Sequence, residues 1–311
     1  MSIPEAFVAV RPSGLVDVPG LGRMWPTRLA PSVSRVASAA WWARYRSTRE
    51  ACRNITLRSA MGLRGELLGD SGAFTSYRKD LDPPDPRGVA EVYARYGCLR
   101  GMHTDVPVAF IQARSGADLA PEVTNRLLER NLELVGACER AYSEHAVQVV
   151  PVAQGLGPSH YYDQVWELAH HRGYDVVAIG GLVGRSQRRV RSVLTAAAAA
   201  ASRARARLHV LGIGRLEFLE PLLWQDVLAS FDCATPLDDA HRDSAGIATY
   251  YYWIRGRELV KLRLADLRRD PAWEPPCDCT ACRQFGRDII FSGNIARNRA
   301  RGAHNTVVWA W

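Results

Sequence analysis

The sequence is poor in several features that would fix a class at once. No apolar run approaches the ~20 residues that cross a bilayer, so no membrane span is expected. The opening stretch, "MSIPEAFVAVRPSG", lacks a basic segment followed by an apolar core, which leaves no secretion leader to read. Cytoplasm is therefore the expected compartment, and there disulfides are rare. Phosphate-loop spacing and the glycine fingerprint of dinucleotide-binding folds are both missing. So is any repeat of 20–50 residues. Acidic residues are the scarcer charge: 32 Asp and Glu stand against 40 Lys and Arg, giving a formal net charge of +8. Residues 185–207 carry seven Arg and no acid. This balance suits a polyanionic partner, and it equally suits solvated helix faces.

The cysteines are few but unevenly placed. Of seven, Cys52, Cys98, Cys138 and Cys233 are scattered and read as small buried hydrophobes. The other three fall within six positions, in "PPCDCTACRQ". Cys277, Cys279 and Cys282 offer three thiolates in one tight turn, and zinc takes four ligands. His304 is the one histidine downstream. A closed Cys₃His zinc site is the favoured reading, against a redox pair or clustered free thiols. The redox reading is weakened because no thioredoxin-like βαβ unit surrounds the pair.

From about residue 65 a rhythm is legible: short apolar runs end in small or polar residues and lead into helical segments. The runs are "GELLGDSGAF" (65–74), "VPVAF" (106–110), "VQVVPVAQG" (147–155), "YDVVAIGG" (174–181), "LHVLGIG" (208–214) and "LASFDCATP" (228–236). Continuous apolar runs alternating with helices indicate parallel strands buried on both faces. Six such units fit a (β/α)₈ barrel better than an open sheet. The expected division is a barrel over residues 1–270, with 1–60 poorly readable, and a small zinc-binding subdomain over 271–311. Asp70, Gln154, Gly180, Gly181, Gly212 and Asp232 all fall at or just past the C-terminal ends of the expected strands. A barrel gathers these ends at one mouth, where its chemistry sits. Two carboxylates there could divide the roles of nucleophile and proton carrier. Each taken singly could instead be a helix cap or turn residue. The glycines would let a flat ligand approach the main chain.

Taken in order, these motifs resemble the tRNA-guanine transglycosylase superfamily. "DSGAF" (70–74) is similar to its D-S-G-G-F, "VAQG" (152–155) to its V-Q-G, "AIGGL" (178–182) to its G-G-L, and "LGIG" (211–214) to its G-x-G. "FDC" (231–233) is similar to its nucleophile segment, and Cys277, Cys279, Cys282 and His304 to its zinc set. The resemblance implies a barrel with a structural Zn²⁺, and a pentosyltransferase that exchanges guanine in nucleic acid for a 7-deazaguanine. It implies Asp232 as the nucleophile forming a covalent ester, Asp70 as the base, and Ser71, Gln154, Gly155, Gly180 and Gly181 as base-binding residues. Two features depart from the family pattern. No Asp lies in 106–116, where the family reads the base edge; Asp105 precedes it and Gln112 is a candidate substitute. The P-T-R-N-G run of bacterial tRNA enzymes is replaced by "TPLDDAHRDSAGIATYYY" (235–252). These features are more similar to the DNA-modifying, DpdA-type branch, which implies insertion of 7-cyano-7-deazaguanine into DNA. Tyr250, Tyr251, Tyr252 and Trp253 would then either stack on unpaired bases or form a buried strand. The alternatives are an enzyme of the same chemistry acting on tRNA, or a non-catalytic partner subunit. A homodimer or an accessory DNA-opening partner is compatible with either.

Overall fold

The computed structural model describes residues 5–9, 16–18, 22–24, 35–39, 49–50, 52–81, 83–241, 248–254, 258–291 and 295–309. The basic aromatic segment "WWARYRSTREACR" lies mostly outside them. The chain divides into two compact units. The first comprises Met1–Ala6, Val36–Arg46 and Leu67–Cys233; the second comprises Phe7–Arg35, Ser47–Glu66 and Ala234–Trp311.

In chain order the strands are β1 (Glu5–Ala9), β2 (Val16–Val18), β3 (Gly22–Met24), β4 (Arg35–Ser38), β5 (Leu67–Asp70), β6 (Arg100–Met102), β7 (Gln148–Val150), β8 (Val152–Ala153), β9 (Val176–Ile179), β10 (Arg207–Val210), β11 (Leu228–Cys233), β12 (Thr249–Ile254) and β13 (Glu258–Arg263). Nine form one sheet in the order β7-β6-β5-β4-β1-β11-β10-β9-β8. The pairs β5–β6, β6–β7, β8–β9, β9–β10 and β10–β11 are parallel. The two ends of this order, β7 and β8, are separated only by Pro151. On one side the Val150 carbonyl accepts from His103 N–H (3.1 Å); on the other the Pro151 carbonyl accepts from Ala178 N–H (2.7 Å). Proline lacks an N–H, so the strand assignment breaks there although the segment is bonded along both edges.

The helices of the first unit are α2 (Ala73–Arg78), α3 (Pro86–Tyr96), α4 (Val108–Ser115), α5 (Pro121–Ser143), α6 (Pro158–Trp166), α7 (Gln187–Ala204) and α8 (Leu216–Trp224), following a short α1 (Leu57–Ala60) of the second unit. Their starts follow local chemistry. Pro occupies the first turn of α3, α5 and α6. Asp85 caps α3 through Gly88 N–H, and Ser186 caps α7 through Arg189 N–H. The expected strand at 106–110 is corrected. Residues 108–115 form α4, begun after Pro107 and ended at Gly116 in left-handed conformation, and the strand lies earlier, at Arg100–Met102.

The β5–β6 pair shows why two of its residues are glycine. Gly69 and Gly101 are register partners. A Cβ on either would fall 2.3 or 2.1 Å from the ring of Tyr93 of α3. The ring lies across both backbones, and its hydroxyl donates to the Met102 carbonyl (3.0 Å), as does that of Tyr142 (2.8 Å). Burial of two aromatics thus seats α3 and α5 on a three-residue strand of low intrinsic propensity.

In the second unit, β12 and β13 form an antiparallel hairpin. Helices α9 (Thr235–His241), α10 (Leu264–Arg269), α11 (Thr280–Phe285) and α12 (Ile295–Trp309) complete its described part. Its core includes Tyr250, Leu264, Cys282, Ile289, Ile290 and Ala300. Arg301 is fully buried there, and its guanidinium donates to the carbonyls of Ala240 and Ile289 and to Asn298 Oδ1, at 2.6–2.9 Å. These bonds run to oxygens, which offsets the cost of burying the cation. Among the described residues no helix is long and apolar enough to cross a membrane.

Candidate functional site

In the first unit the polar strand ends meet. Asp70 is the last residue of β5, Gln154 follows β8, Gly180 and Gly181 follow β9, and Asp232 lies near the end of β11. Asp105 joins them three residues past β6: Gln154 Nε2 donates to its Oδ2 at 2.5 Å. The loop carrying Asp105 is pinned at each neighbour. Thr104 N–H donates to Cys138 Sγ (3.4 Å) and Val106 N–H to Asn131 Oδ1 (3.0 Å). His103 Nδ1 accepts from Val152 N–H (3.0 Å), and burial lowers this histidine to about 4, keeping it neutral as that bond requires. Gln112, the expected substitute, instead bonds Asp118 on the exposed side of α4.

Burial pushes the Asp70 carboxyl above the usual carboxylate range. The nearby Ser38 hydroxyl and Gly72 N–H oppose the rise, and the charge of Asp232 adds to it. Burial also pushes Asp105 up to about 6, against the Gln154 hydrogen bond and with the Asp70 charge. Ser71 is buried, its hydroxyl accepts from Ala73 N–H, and it lies near enough to Asp105 to favour the carboxylate. Asp232 is neither a helix cap nor a turn residue: its Oδ1 accepts from Gly212 N–H (3.1 Å) and lies 3.4 Å from His209 Nε2.

The glycines have a steric reason. A Cβ on Gly180 would sit 2.3 Å from Gln154 Nε2 and 2.9 Å from Val152 Cγ1, and one on Gly181 would sit 2.8 Å from Gln154 Oε1. Gly181 also has φ +66. A Cβ on Gly155 would meet His160 Cβ at 2.6 Å. Arg185 donates to the Gly155 and Leu156 carbonyls, and Tyr161 donates to the Gly180 carbonyl (2.8 Å), so the two glycine turns are braced together. Gln154 is 2% exposed, and its Oε1 has no hydrogen-bond partner among the described residues. A buried acceptor without a partner is costly unless a water or a ligand supplies a donor. Phe74, at the start of α2, is half-exposed and edge-on to Phe110 at 5.0 Å. The sequence signal for Phe74 is an aromatic four residues after Asp70; for Asp105 it is the place one residue before 106–116, which the expected strand at 106–110 puts at the wrong end.

The second unit brings Cys277, Cys279, Cys282 and His304 together, with all ligand atoms within 4.8 Å. The three sulfurs lie 3.2–3.4 Å from His304 Nδ1. One lone pair cannot accept from three thiols, so this convergence is not explained by hydrogen bonding. Zn–S of about 2.3 Å and Zn–N of about 2.0 Å give tetrahedral edges of roughly 3.5–3.8 Å, close to what is seen. The surroundings fit a ligand role. His304 Nε2–H donates to the Tyr251 carbonyl (2.6 Å), directing Nδ1 at the sulfurs. Tyr250 stacks on the imidazole, ring centroids 3.9 Å apart, and its hydroxyl lies 3.1 Å from Cys282 Sγ. Asn305 accepts from Tyr251 N–H and donates to the Thr249 carbonyl, fixing the hairpin to α12. The cluster could hold a metal ion, and its donor set is consistent with zinc. Tyr250 and Tyr251 are fully buried, which for these two favours the buried strand over stacking on unpaired bases.

A DNA-guanine transglycosylase of Salmonella montevideo is 25% identical to this protein over 210 residues, which is 67% of this chain and 49% of that protein. The chain thus spans about half the length of the curated relative it matches. No family model matches it. The distant similarity supports the tRNA-guanine transglycosylase superfamily.

Proposed function

We propose that this protein is a guanine transglycosylase that replaces guanine in DNA with a 7-deazaguanine, 7-cyano-7-deazaguanine being the expected base. The observation that carries the reading is the meeting of Asp70, Asp105, Gln154 and Asp232 at strand ends, with Gln154 bonded to Asp105. We read the strand order, which returns through Pro151 to its start, as a closed (β/α)₈ barrel with these strand ends at its mouth. Cys277, Cys279, Cys282 and His304 would hold a structural Zn²⁺ that fastens the second unit's hairpin and helices.

Guanine and its 7-deaza analogues share the N1–H and 2-amino donors. Asp105 and Gln154 Oε1 are acceptors suited to that edge, so one pocket serves the leaving and the entering base. Phe74 offers a ring for stacking, and Gly180 and Gly181 make room for the Gln154 side chain beside the strand end. The target nucleotide must leave its stack to reach such a pocket.

Asp232 attacks C1′ through a carboxylate oxygen as the C1′–N9 bond breaks; the electron pair departs with guanine, which takes up the proton held by Asp70. Asp70, whose carboxyl is raised by burial, takes the N9 proton of the entering base. That nitrogen then displaces the ester oxygen, and two displacements at one carbon retain configuration. The test is incubation with DNA and labelled 7-cyano-7-deazaguanine. Incorporation that Asp232→Ala abolishes is the expected result; incorporation into tRNA with none into DNA refutes the polymer assignment.

A further inference from the structure

Behind Asp232 lies a second buried polar pair that the chemistry above leaves unused. His209, on β10, is 1% exposed. Its Nδ1 is 2.7 Å from Ser230 Oγ and its Nε2 is 3.4 Å from Asp232 Oδ1. Ser230 and Asp232 stand two apart on β11, so they present the same face of the strand to β10. The carboxylate has only lone pairs to offer, so the arrangement that avoids repulsion places the imidazole proton on Nε2, with the Ser230 hydroxyl donating to Nδ1. Gly212 N–H reaches the same Oδ1 at 3.1 Å. The Gly212 hydrogen bond and the His209 Nε2 contact, which at 3.4 Å falls short of hydrogen-bond geometry, thus lie on one carboxylate oxygen.

We infer that His209, held in tautomer by Ser230, is a positioning residue that together with Gly212 N–H ties down Oδ1 of Asp232 and leaves Oδ2 as the oxygen that bonds C1′. The inference rests on Asp232 being the nucleophile. It has a directional consequence. Esterification removes the negative charge that the His209 Nε2–H dipole, 3.4 Å away, favours; breakdown of the ester returns the electron pair to the carboxylate and restores it. His209 therefore makes Asp232 a better leaving group more than a better nucleophile.

The test compares wild type with His209→Leu, His209→Gln and Ser230→Ala, on the nucleic acid that wild type modifies, with labelled 7-cyano-7-deazaguanine. His209→Leu should lower kcat about tenfold, the loss of one polar contact to a buried carboxylate, with KM for the base unchanged. The fraction of enzyme trapped as covalent adduct should rise. His209→Gln keeps a donor at the Nε2 position and should recover most of the rate. Wild-type kcat and adduct level in His209→Leu, or a Gln variant no better than the Leu variant, overturns the inference. If His209→Leu does not fold, Ser230→Ala decides: a lower kcat with more adduct supports the inference, and wild-type behaviour overturns it. If wild type itself forms no adduct, the proposed function fails instead. The tie is then read from the imidazole ¹⁵N resonances of His209, and an Nε2–H signal unmoved by Asp232→Ala overturns it.

Discussion

Replacing Gly180 by alanine tests whether the pocket is built as tightly as its geometry says. The new Cβ would lie 2.3 Å from Gln154 Nε2, 2.9 Å from Val152 Cγ1 and 3.1 Å from Gln154 Cδ. Backbone strain does not enter, because Gly180 is not among the residues of positive φ. Gly→Ala at such a site would by itself stabilise by about 0.4–1 kcal/mol through the unfolded chain. Overpacking opposes this by about 1–3 kcal/mol. Gln154 cannot yield without cost, since it is buried and its Nε2 is bonded to Asp105. Moving it leaves a buried carboxylate short of a donor, worth a further 1–3 kcal/mol or so. The net is a loss of about 2–4 kcal/mol, which for a unit of this size lowers Tm by roughly 5–15 °C. Base exchange should fall more steeply than stability, because both acceptors for the base edge are displaced. Gly157→Ala is the control: its Cβ would meet only the guanidinium end of Arg189 at 3.4 Å. The assays are thermal melting and incorporation of labelled base. A Gly180→Ala protein that melts and exchanges like wild type would show that Gln154 moves freely, and the argument for a preformed acceptor pair would fail with it.

The strands legible in the sequence were those with enough apolar residues to declare burial on both faces. "VVAI", "LHV" and "LASF" are of this kind, and they lie at β9, β10 and β11. Hidden strands were short or atypical. Only three residues make up β6, one of them the glycine beneath Tyr93. "EAFVA" and "RVAS" of β1 and β4 sit in a segment with no helical pattern around them. Their place in the sheet is set by pairing, a non-local property that no window of sequence carries.

The misplaced strand had a functional consequence. Reading "VPVAF" as β-structure put Asp105 at the start of a strand, on the side away from the chemistry. Once the strand ends at Met102, the same residue falls past its C-terminus, beside Gln154. A shift of a few residues therefore decides whether the pocket has a base-reading carboxylate. The cysteine cluster was legible because its chemistry is local: three ligands lie in one turn, and only one histidine stood downstream. The Tyr250–Tyr251 pair was ambiguous, because exposed stacking residues and buried aromatics have the same composition. Burial against His304 and Cys282 decides it.

Three further outcomes are expected. Metal analysis of the purified protein should give one zinc per chain, and Cys279→Ser should lose it and lower the melting temperature before it alters adduct chemistry. Asn305→Ala should release the hairpin from α12, since it removes bonds to Tyr251 N–H and the Thr249 carbonyl. About 1–3 kcal/mol of stability should go with it, measured by denaturant unfolding. Asp105→Asn should change how stability depends on pH. The folded carboxyl titrates near 6, raised mainly by burial, whereas in the unfolded chain it titrates at about 3.9. Between these values the folded state holds a proton that the unfolded state has lost. The contribution of Asp105 is thus fully present below about pH 4 and is lost as pH rises to about 6. Asparagine is neutral throughout, so the difference between wild-type and variant unfolding free energies should move in the variant's favour across that window and stay flat above it. A difference that is constant from pH 4 to 7 would mean that Asp105 is not held in a desolvated pocket, and the base edge would need another reader.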